Sequence, residues 1–136
     1  MKPVFFDTNV LVYAVDLAAG GRGERARQLV TAALRDRSAV VSTQVLQEFY
    51  VVATRKLGIE AAVARRQVEL LSTLEVVPIT VALILEAIDL RRLRQVSFGD
   101  ALVLRAAAAA GCATLWSEDL PAGAVFDGVR VENPLT

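Results

Sequence analysis

Short apolar runs alternate along this chain with longer stretches that carry apolar residues at helical spacing. The runs cover residues 4–6, 39–41, 76–77, 113–116 and 129–131, and only the last two include a polar residue, Thr114 and Arg130. Runs this short and this apolar are typical of strands that are covered on both faces. Strands separated by helices predict an α/β fold, namely a three-layer α/β/α sandwich with a mainly parallel central sheet. A second core would leave both cores too small in 136 residues, so residues 1–136 are predicted to form a single domain.

The stretches between these runs predict helices over residues 9–15, 24–37, 43–57, 60–74, 80–94 and 98–111. Ser42 or Thr43 is a suitable N-cap for the third of them, and Gly58 is a typical residue after a helix end. The glycine-rich residues 18–23 are predicted to form a loop. They lack the Gly-Lys-Ser/Thr ending of a phosphate-binding P-loop.

The chain contains no histidine and a single cysteine, Cys112. These absences exclude histidine-based catalytic triads, histidine-ligated zinc and thiolate metal sites. Any catalysis would have to use carboxylates, hydroxyls, Lys or Arg, together with a hard metal ion such as Mg²⁺ or Mn²⁺. Cys112 lies in a segment of small apolar residues and is predicted to belong to the core.

Four acidic residues stand at informative places in this predicted fold. Asp7 follows the first strand, and Asp119 lies just beyond the strand that ends at Trp116. Asp100 falls in the first turn of a helix, and Glu48 lies within the helix after the second strand. Sites in open α/β sheets form outside the carboxyl ends of the strands, so the junctions that carry these acids are candidates for one site.

Each acid also has a simpler structural interpretation. Asp7 would serve as a helix cap, Asp100 would complete a capping box with Ser97, and Asp119 would shape a turn. Glu48 would be an exposed helix residue at the edge of the apolar face. Glu48 shares its helix face with Val45 and Val52. If that face is buried, its carboxylate needs a charge partner or a metal ion.

Four segments, in order, resemble the motifs that carry the acids of PIN domains. They are FDTNVLVY at 6–13, STQVLQEF at 42–49, SFGDAL at 97–102 and LWSEDL at 115–120. The sequence GVRVENP at 128–134 is similar to the C-terminal part of VapC-type toxins. One departure is Gly99, which stands where a larger residue is frequent before the third acid. The resemblance implies a metal-dependent endoribonuclease that is the toxin of a toxin–antitoxin pair.

The resemblance also implies how the acids are used. Asp7, Asp100 and Asp119 are expected to contact one or two Mg²⁺ or Mn²⁺ ions, and Glu48 to complete the shell directly or through water. Glu118 adjoins Asp119, so either residue is a candidate for the fourth acid, and the motif favours Asp119. The residues expected to orient the carboxylates or the attacking water, unless they are only caps or turn residues, are Thr8, Asn9 and Ser117.

The charge of the chain permits an RNA partner. The 15 basic and 15 acidic residues cancel, but setting aside the four site acids leaves 15 basic against 11 acidic residues. All of the basic residues are Arg except Lys2 and Lys56, and Arg is suited to phosphate contacts and base stacking. The clusters at 22–27, 65–66 and 91–94 are also consistent with solvated helix faces. Arg22 or Arg25 is a candidate contact to substrate phosphate.

A cognate antitoxin is the expected protein partner, and a homodimer is expected. The apolar helix that contains Val45, Leu46, Phe49 and Val52 is a candidate for either interface, although core packing is the simpler use of these residues. No apolar run is long enough to span a membrane, and an acid at position 7 is atypical of a signal peptide, which predicts a cytoplasmic protein.

Three alternatives stay open at this stage. A housekeeping PIN nuclease that processes RNA would have the same site. A catalytically silent PIN-like binding module would be expected to have lost one or more of the acids, and all four positions are filled. A phospho-acceptor domain would need a second acid near Asp7 and a lysine after a late strand, whereas Asn9 and no such lysine are present.

Overall fold

The computed structural model describes residues 3–136, so Met1 and Lys2, with the start of the predicted domain, lie outside the described residues. Strands and helices alternate along the described chain. In order they are β1 (Val4–Phe6), α1 (Thr8–Val15), α2 (Gly20–Asp36), β2 (Ala39–Ser42), α3 (Thr43–Arg55), α4 (Ala61–Leu71), β3 (Glu75–Val77), α5 (Val81–Leu93), α6 (Phe98–Ala109), β4 (Thr114–Trp116), β5 (Val125–Phe126) and β6 (Val129–Glu132).

The strands form one sheet in the order β3-β2-β1-β4-β6-β5. Every neighbouring pair is parallel except β5 and β6. The chain moves from β1 outward to β3 and then crosses to β4 on the other side of β1. Because such crossovers are right-handed, α1–α4 cover one face of the sheet and α5 and α6 the other. The predicted α/β fold with a mainly parallel sheet is confirmed.

This strand order places a topological switch point between β1 and β4, where the connections leave in opposite directions. The backbone joins the two strand ends there, because the Asp7 N–H donates to the Trp116 carbonyl at 3.0 Å. The rings of Phe6 and Trp116, at the same ends, have their centroids 5.0 Å apart. A crevice at such a point is the usual ligand site of an open α/β sheet.

The core lies on both faces of the sheet. Phe5, Val40 and Leu115 from the central strands are fully buried, and so are Val45 and Phe49 of α3. These two α3 residues are therefore not available for an interface. Cys112 is also buried, as predicted, and burial raises the pKa of its thiol to about 11. In residues 3–136 no helix has the length and apolar character needed to cross a membrane.

The predicted loop at 18–23 is wrong in its second half, because α2 begins at Gly20. The reason is a close approach between helices. A Cβ on Gly23 would lie 3.0 Å from the Asp16 carbonyl oxygen and 3.2 Å from that of Tyr13, both at the end of α1. The glycine allows α2 to pack on α1, so it is a packing residue within a helix.

Strand β5 was not predicted. It pairs with β6 in a hairpin whose turn contains Asp127 and Gly128, both with positive φ. An Asp-Gly pair is a strong hairpin signal, and it would have revealed the strand. Arg105 of α6 holds this turn through the Asp127 carboxylate and also pairs with Glu86 of α5.

Candidate active site

Asp7 lies at the switch point and is buried, with 4% of its surface exposed. Its Oδ1 accepts a hydrogen bond of 2.7 Å from the Thr8 N–H, so it caps α1 as one interpretation predicted. Its Oδ2 accepts a bond of 2.8 Å from the Ser117 hydroxyl. Capping and site membership are therefore compatible, because the two oxygens face different partners.

Ser117 and Asn9 connect Asp7 to Asp119. The fully buried Ser117 hydroxyl accepts from the Asp119 N–H at 3.1 Å. The Asn9 Nδ2 amide donates to Asp119 Oδ2 at 3.1 Å, and it lies 3.4 Å from both Asp7 Oδ2 and the Ser117 hydroxyl oxygen. The amide thus bridges two carboxylates that would otherwise repel each other. This bridge holds the loop after β4 against the start of α1.

Glu48 is an exposed helix residue, as its simpler interpretation predicted. The residue is exposed, so burial does not oblige it to have a charge partner. Its Oε1 nevertheless accepts a hydrogen bond of 2.8 Å from the Thr8 hydroxyl. Thr8 therefore joins two acids of the site, Asp7 through its backbone and Glu48 through its side chain.

Asp100 reaches the site from the other face of the sheet, in the first turn of α6. Its backbone N–H donates to the Ser97 hydroxyl at 3.1 Å, which is one half of the capping box. In residues 3–136 no hydrogen bond or ion pair engages its carboxylate. A half-buried carboxylate without a protein partner is free to bind a ligand.

Glu118 is held by groups outside the acidic cluster. The Tyr13 hydroxyl donates to its Oε1 at 2.8 Å, and Arg22 lies 3.5 Å from its Oε2 as an ion pair. Its N–H donates to Asn9 Oδ1 at 3.1 Å. Sequence reasoning missed Tyr13, although its position one helical turn after Asn9 was a usable signal. Arg25, the other candidate for phosphate contact, donates from Nε to the Pro134 carbonyl at 3.3 Å.

The four predicted acids line one cavity of about 780 Å³. The apolar wall of this cavity is formed by Val12, Val51, Val52, Leu57 and Val103. Lys56, which sequence reasoning had not placed near the site, stands at the same cavity at the end of α3. The cavity therefore combines acids, one lysine and an apolar surface.

A divalent cation suits this cavity by the chemistry of the donor set. The available donors are carboxylate oxygens, which Mg²⁺ and Mn²⁺ prefer. In the described chain no three acidic side chains approach closely enough to enclose an ion among them. An ion there would consequently keep several water ligands, as Mg²⁺ usually does.

The surroundings of Asp7 favour a positive charge near its carboxylate. Burial is the main cause that raises the pKa of Asp7 to about 6, and the carboxylates of Asp119 and Asp100 raise it further. The hydrogen bonds from Ser117 and Thr8 oppose this rise. Ionised Asp7 is thus destabilising near neutral pH, and a bound cation would relieve this cost.

Comparison with known proteins points in one direction. The model of the PIN domain family matches residues 4–120, a range that contains all four acids. Among curated proteins none matches the chain significantly.

Three solved structures share the fold. The toxin VapC20 of Mycobacterium tuberculosis, described as cleaving the sarcin-ricin loop, has a TM-score of 0.68 and 24% identity over 85% of this chain and 91% of its own. A toxin–antitoxin complex from Klebsiella pneumoniae has a TM-score of 0.67 and 24% identity, covering 93% of this chain and 94% of the other. VapBC2 of Rickettsia felis, solved on a promoter DNA fragment, has a TM-score of 0.69 and 17% identity over 97% and 98%. The TM-scores establish likeness of fold.

Proposed function

The chain belongs to the PIN-domain family, and on that premise we propose that it is an Mg²⁺- or Mn²⁺-dependent endoribonuclease acting as the toxin of a toxin–antitoxin pair. The observation that carries the proposal is a single cavity lined by Asp7, Glu48, Asp100 and Asp119. The raised pKa of Asp7 supports the same conclusion, because an acid held at this cost is typical of a functional site. The similarity of fold to VapC toxins supports the toxin role.

The acids would hold the metal at the end of the sheet. Asp7, Asp100 and Asp119 are the proposed metal residues, and Glu48 would act directly or through a water molecule. When bound, such an ion makes a water more acidic and stabilises negative charge on phosphate oxygens. We assign the fourth position to Asp119, because both oxygens of Glu118 face Tyr13 or Arg22.

The neighbouring polar residues would keep these carboxylates in place. Asn9 and Ser117 hold Asp7 and Asp119 at a fixed separation, and Thr8 holds Glu48 by one oxygen. The other oxygen of Glu48 has no partner within residues 3–136, so it can accept a proton or a hydrogen bond from a water in the cavity. Such supporting residues commonly contribute about 10- to 100-fold to metal affinity or activity.

Cleavage of RNA by the purified chain tests the nuclease. With Mn²⁺ or Mg²⁺ the wild type should cut total bacterial RNA into discrete fragments, and EDTA or Asp100→Asn should abolish cleavage. Thr8→Val should lower the rate about 10- to 100-fold, because Glu48 loses its hydrogen bond, while Thr8→Ser keeps the hydroxyl and should retain activity. No cleavage by folded, metal-supplied protein on a broad set of structured RNAs would instead favour a silent binding module.

Growth on induced expression separates a toxin from a housekeeping nuclease. Wild-type chain should arrest growth, and Asp100→Asn should not. Tolerated expression of a chain that is active in the test tube would favour the housekeeping role.

An antitoxin segment is the proposed protein partner at this cavity. The apolar wall suits its apolar side chains, and the acids suit a basic residue. Val51 lies on this wall with 46% of its surface exposed and takes no part in the acidic cluster. Val51→Asp should therefore keep toxicity and escape neutralisation by the cognate antitoxin. Equal neutralisation of both forms would contradict this docking site.

The expected homodimer stays a prediction. Sedimentation equilibrium of the purified chain tests it.

A further inference from the structure

A second cavity opens beside the first and shares three residues with it. Its volume is about 320 Å³, at the lower end of ligand pockets. Ser97, Asp100 and Asp119 line both cavities, so two of the acids stand at their junction. A ligand bound at the acids would thus have space on both sides. A linear polymer cut at the junction would need that space.

The second cavity is lined by an arginine whose guanidinium lies over an aromatic ring. The guanidinium carbon of Arg94 lies 4.5 Å from the centroid of the Phe126 ring, and both residues line the cavity. The Arg94 backbone N–H donates to the Leu90 carbonyl at 2.8 Å, where Arg94 caps the end of α5. Stacking on a ring covers one face of a guanidinium and leaves the donors along its edge available.

Two other arginines are already paired with carboxylates. Arg22 pairs with Glu118, and Arg105 pairs with Glu86 and Asp127. In the described part of the chain, no carboxylate pairs with Arg94. It belongs to the arginine cluster at 91–94, for which the proposed chemistry gives no use. An oriented, uncommitted guanidinium beside a catalytic junction is suited to a phosphate.

We propose that Arg94 and the second cavity form a subsite for the phosphate of the nucleotide next to the cleaved bond. The inference rests on the proposed nuclease function, since it places the cleaved bond at the shared acids. An RNA strand carries one negative charge at each nucleotide. One phosphate would lie at the metal ion held by the acids, and the next would pair with the positive charge of Arg94. A basic peptide segment would be repelled by Arg94, which is why we favour RNA as the occupant.

Short single-stranded RNA substrates test this subsite. Two substrates each have the cleavable bond and one extra nucleotide, which lies on one side of the bond in the first and on the other side in the second. A third, shorter substrate has the cleavable bond and no extra nucleotide. For Arg94→Gln we expect KM to rise about 10-fold on the substrate extended to one side, with kcat nearly unchanged and no effect on the shorter one. The dependence of log KM on log salt should also become shallower by about 0.7, the value for one phosphate contact on a single strand.

Matched variants separate a subsite from a structural role. Arg92→Gln removes an exposed charge from the same cluster that lines neither cavity, and its KM should stay at the wild-type value. Arg94→Lys keeps the charge but loses the planar fork, so its KM should fall between the two. Equal losses on long and short substrates, or the same loss in Arg92→Gln, would overturn the proposal.

Two further readouts keep the inference separate from the proposed function. If wild type does not cleave, the nuclease proposal fails, and anisotropy of a labelled single-stranded RNA still tests Arg94. Unchanged RNA binding by Arg94→Gln would then overturn the subsite. Unchanged KM and RNA binding with weaker neutralisation by the cognate antitoxin would also overturn it, and would assign the cavity to a protein partner.

Discussion

Asp7→Asn is expected to lower the rate of RNA cleavage by at least about 10³-fold, because losing a charged metal contact costs several kcal/mol in the transition state. Asparagine has nearly the same shape as aspartate, and its carbonyl oxygen can still accept one of the bonds that Thr8 and Ser117 donate. The fold should therefore survive, and the change isolates the charge. Cleavage rates at saturating Mn²⁺ and the far-ultraviolet circular dichroism of both proteins measure the two effects.

A matched control makes this result specific. Asp89→Asn removes one negative charge from an exposed position of α5 that lines neither cavity. It should leave the cleavage rate within about twofold, since exposed charges far from a site are largely screened. A folded Asp7→Asn that still cleaves within tenfold of wild type would mean that Asp7 is a helix cap and not a metal residue.

The fold was predictable because local pattern and global packing agree. The strands around Phe5, Val40 and Leu115 are apolar enough to be recognised, and these side chains lie in the centre of the core. The Asp-Thr-Asn motif placed the first acid at the end of β1, where the switch point requires it. Sequence reasoning failed where one element depends on a distant one. The glycines at 20–23 predict a loop by local propensity, whereas Gly23 lies inside α2 where that helix closely approaches the end of α1.

The meeting of the four acids at one cavity was predictable, but their hydrogen-bond contacts were not. The motifs named Asp7 and Asp119, yet the bridge that Asn9 makes between them joins residues 110 positions apart. Such a bridge depends on the separation of two loops, which only the sheet order determines. The exposure of Glu48 agrees with its simpler interpretation as a residue at the edge of the apolar helix face, but its partner could not be predicted. Its contact with Thr8 arises from the packing of α1 against α3.

Asp7 also makes the metal-free protein lose stability as the pH rises. Burial raises the pKa of its carboxyl group from the ordinary value of 3.8 to about 6 in the folded protein. Between these values the folded state binds more protons, so the contribution of Asp7 to the free energy of unfolding is largest below pH 4 and decreases until the pH passes about 6. At roughly 1.4 kcal/mol per pKa unit, this shift corresponds to about 3 kcal/mol in the free energy of unfolding.

Urea unfolding in EDTA between pH 4 and 7.5 measures this decrease. Other carboxylates contribute to the slope in both proteins, so the difference between wild type and Asp7→Asn isolates the residue. Asp7→Asn should be more stable than wild type at pH 7 by up to about 3 kcal/mol, and the two should converge towards pH 4. Added Mg²⁺ should stabilise wild type more than the variant above pH 6, because a cation favours the ionised carboxylate. Parallel pH profiles for the two proteins would show that Asp7 is not strained, and that a cation relieves no repulsion there.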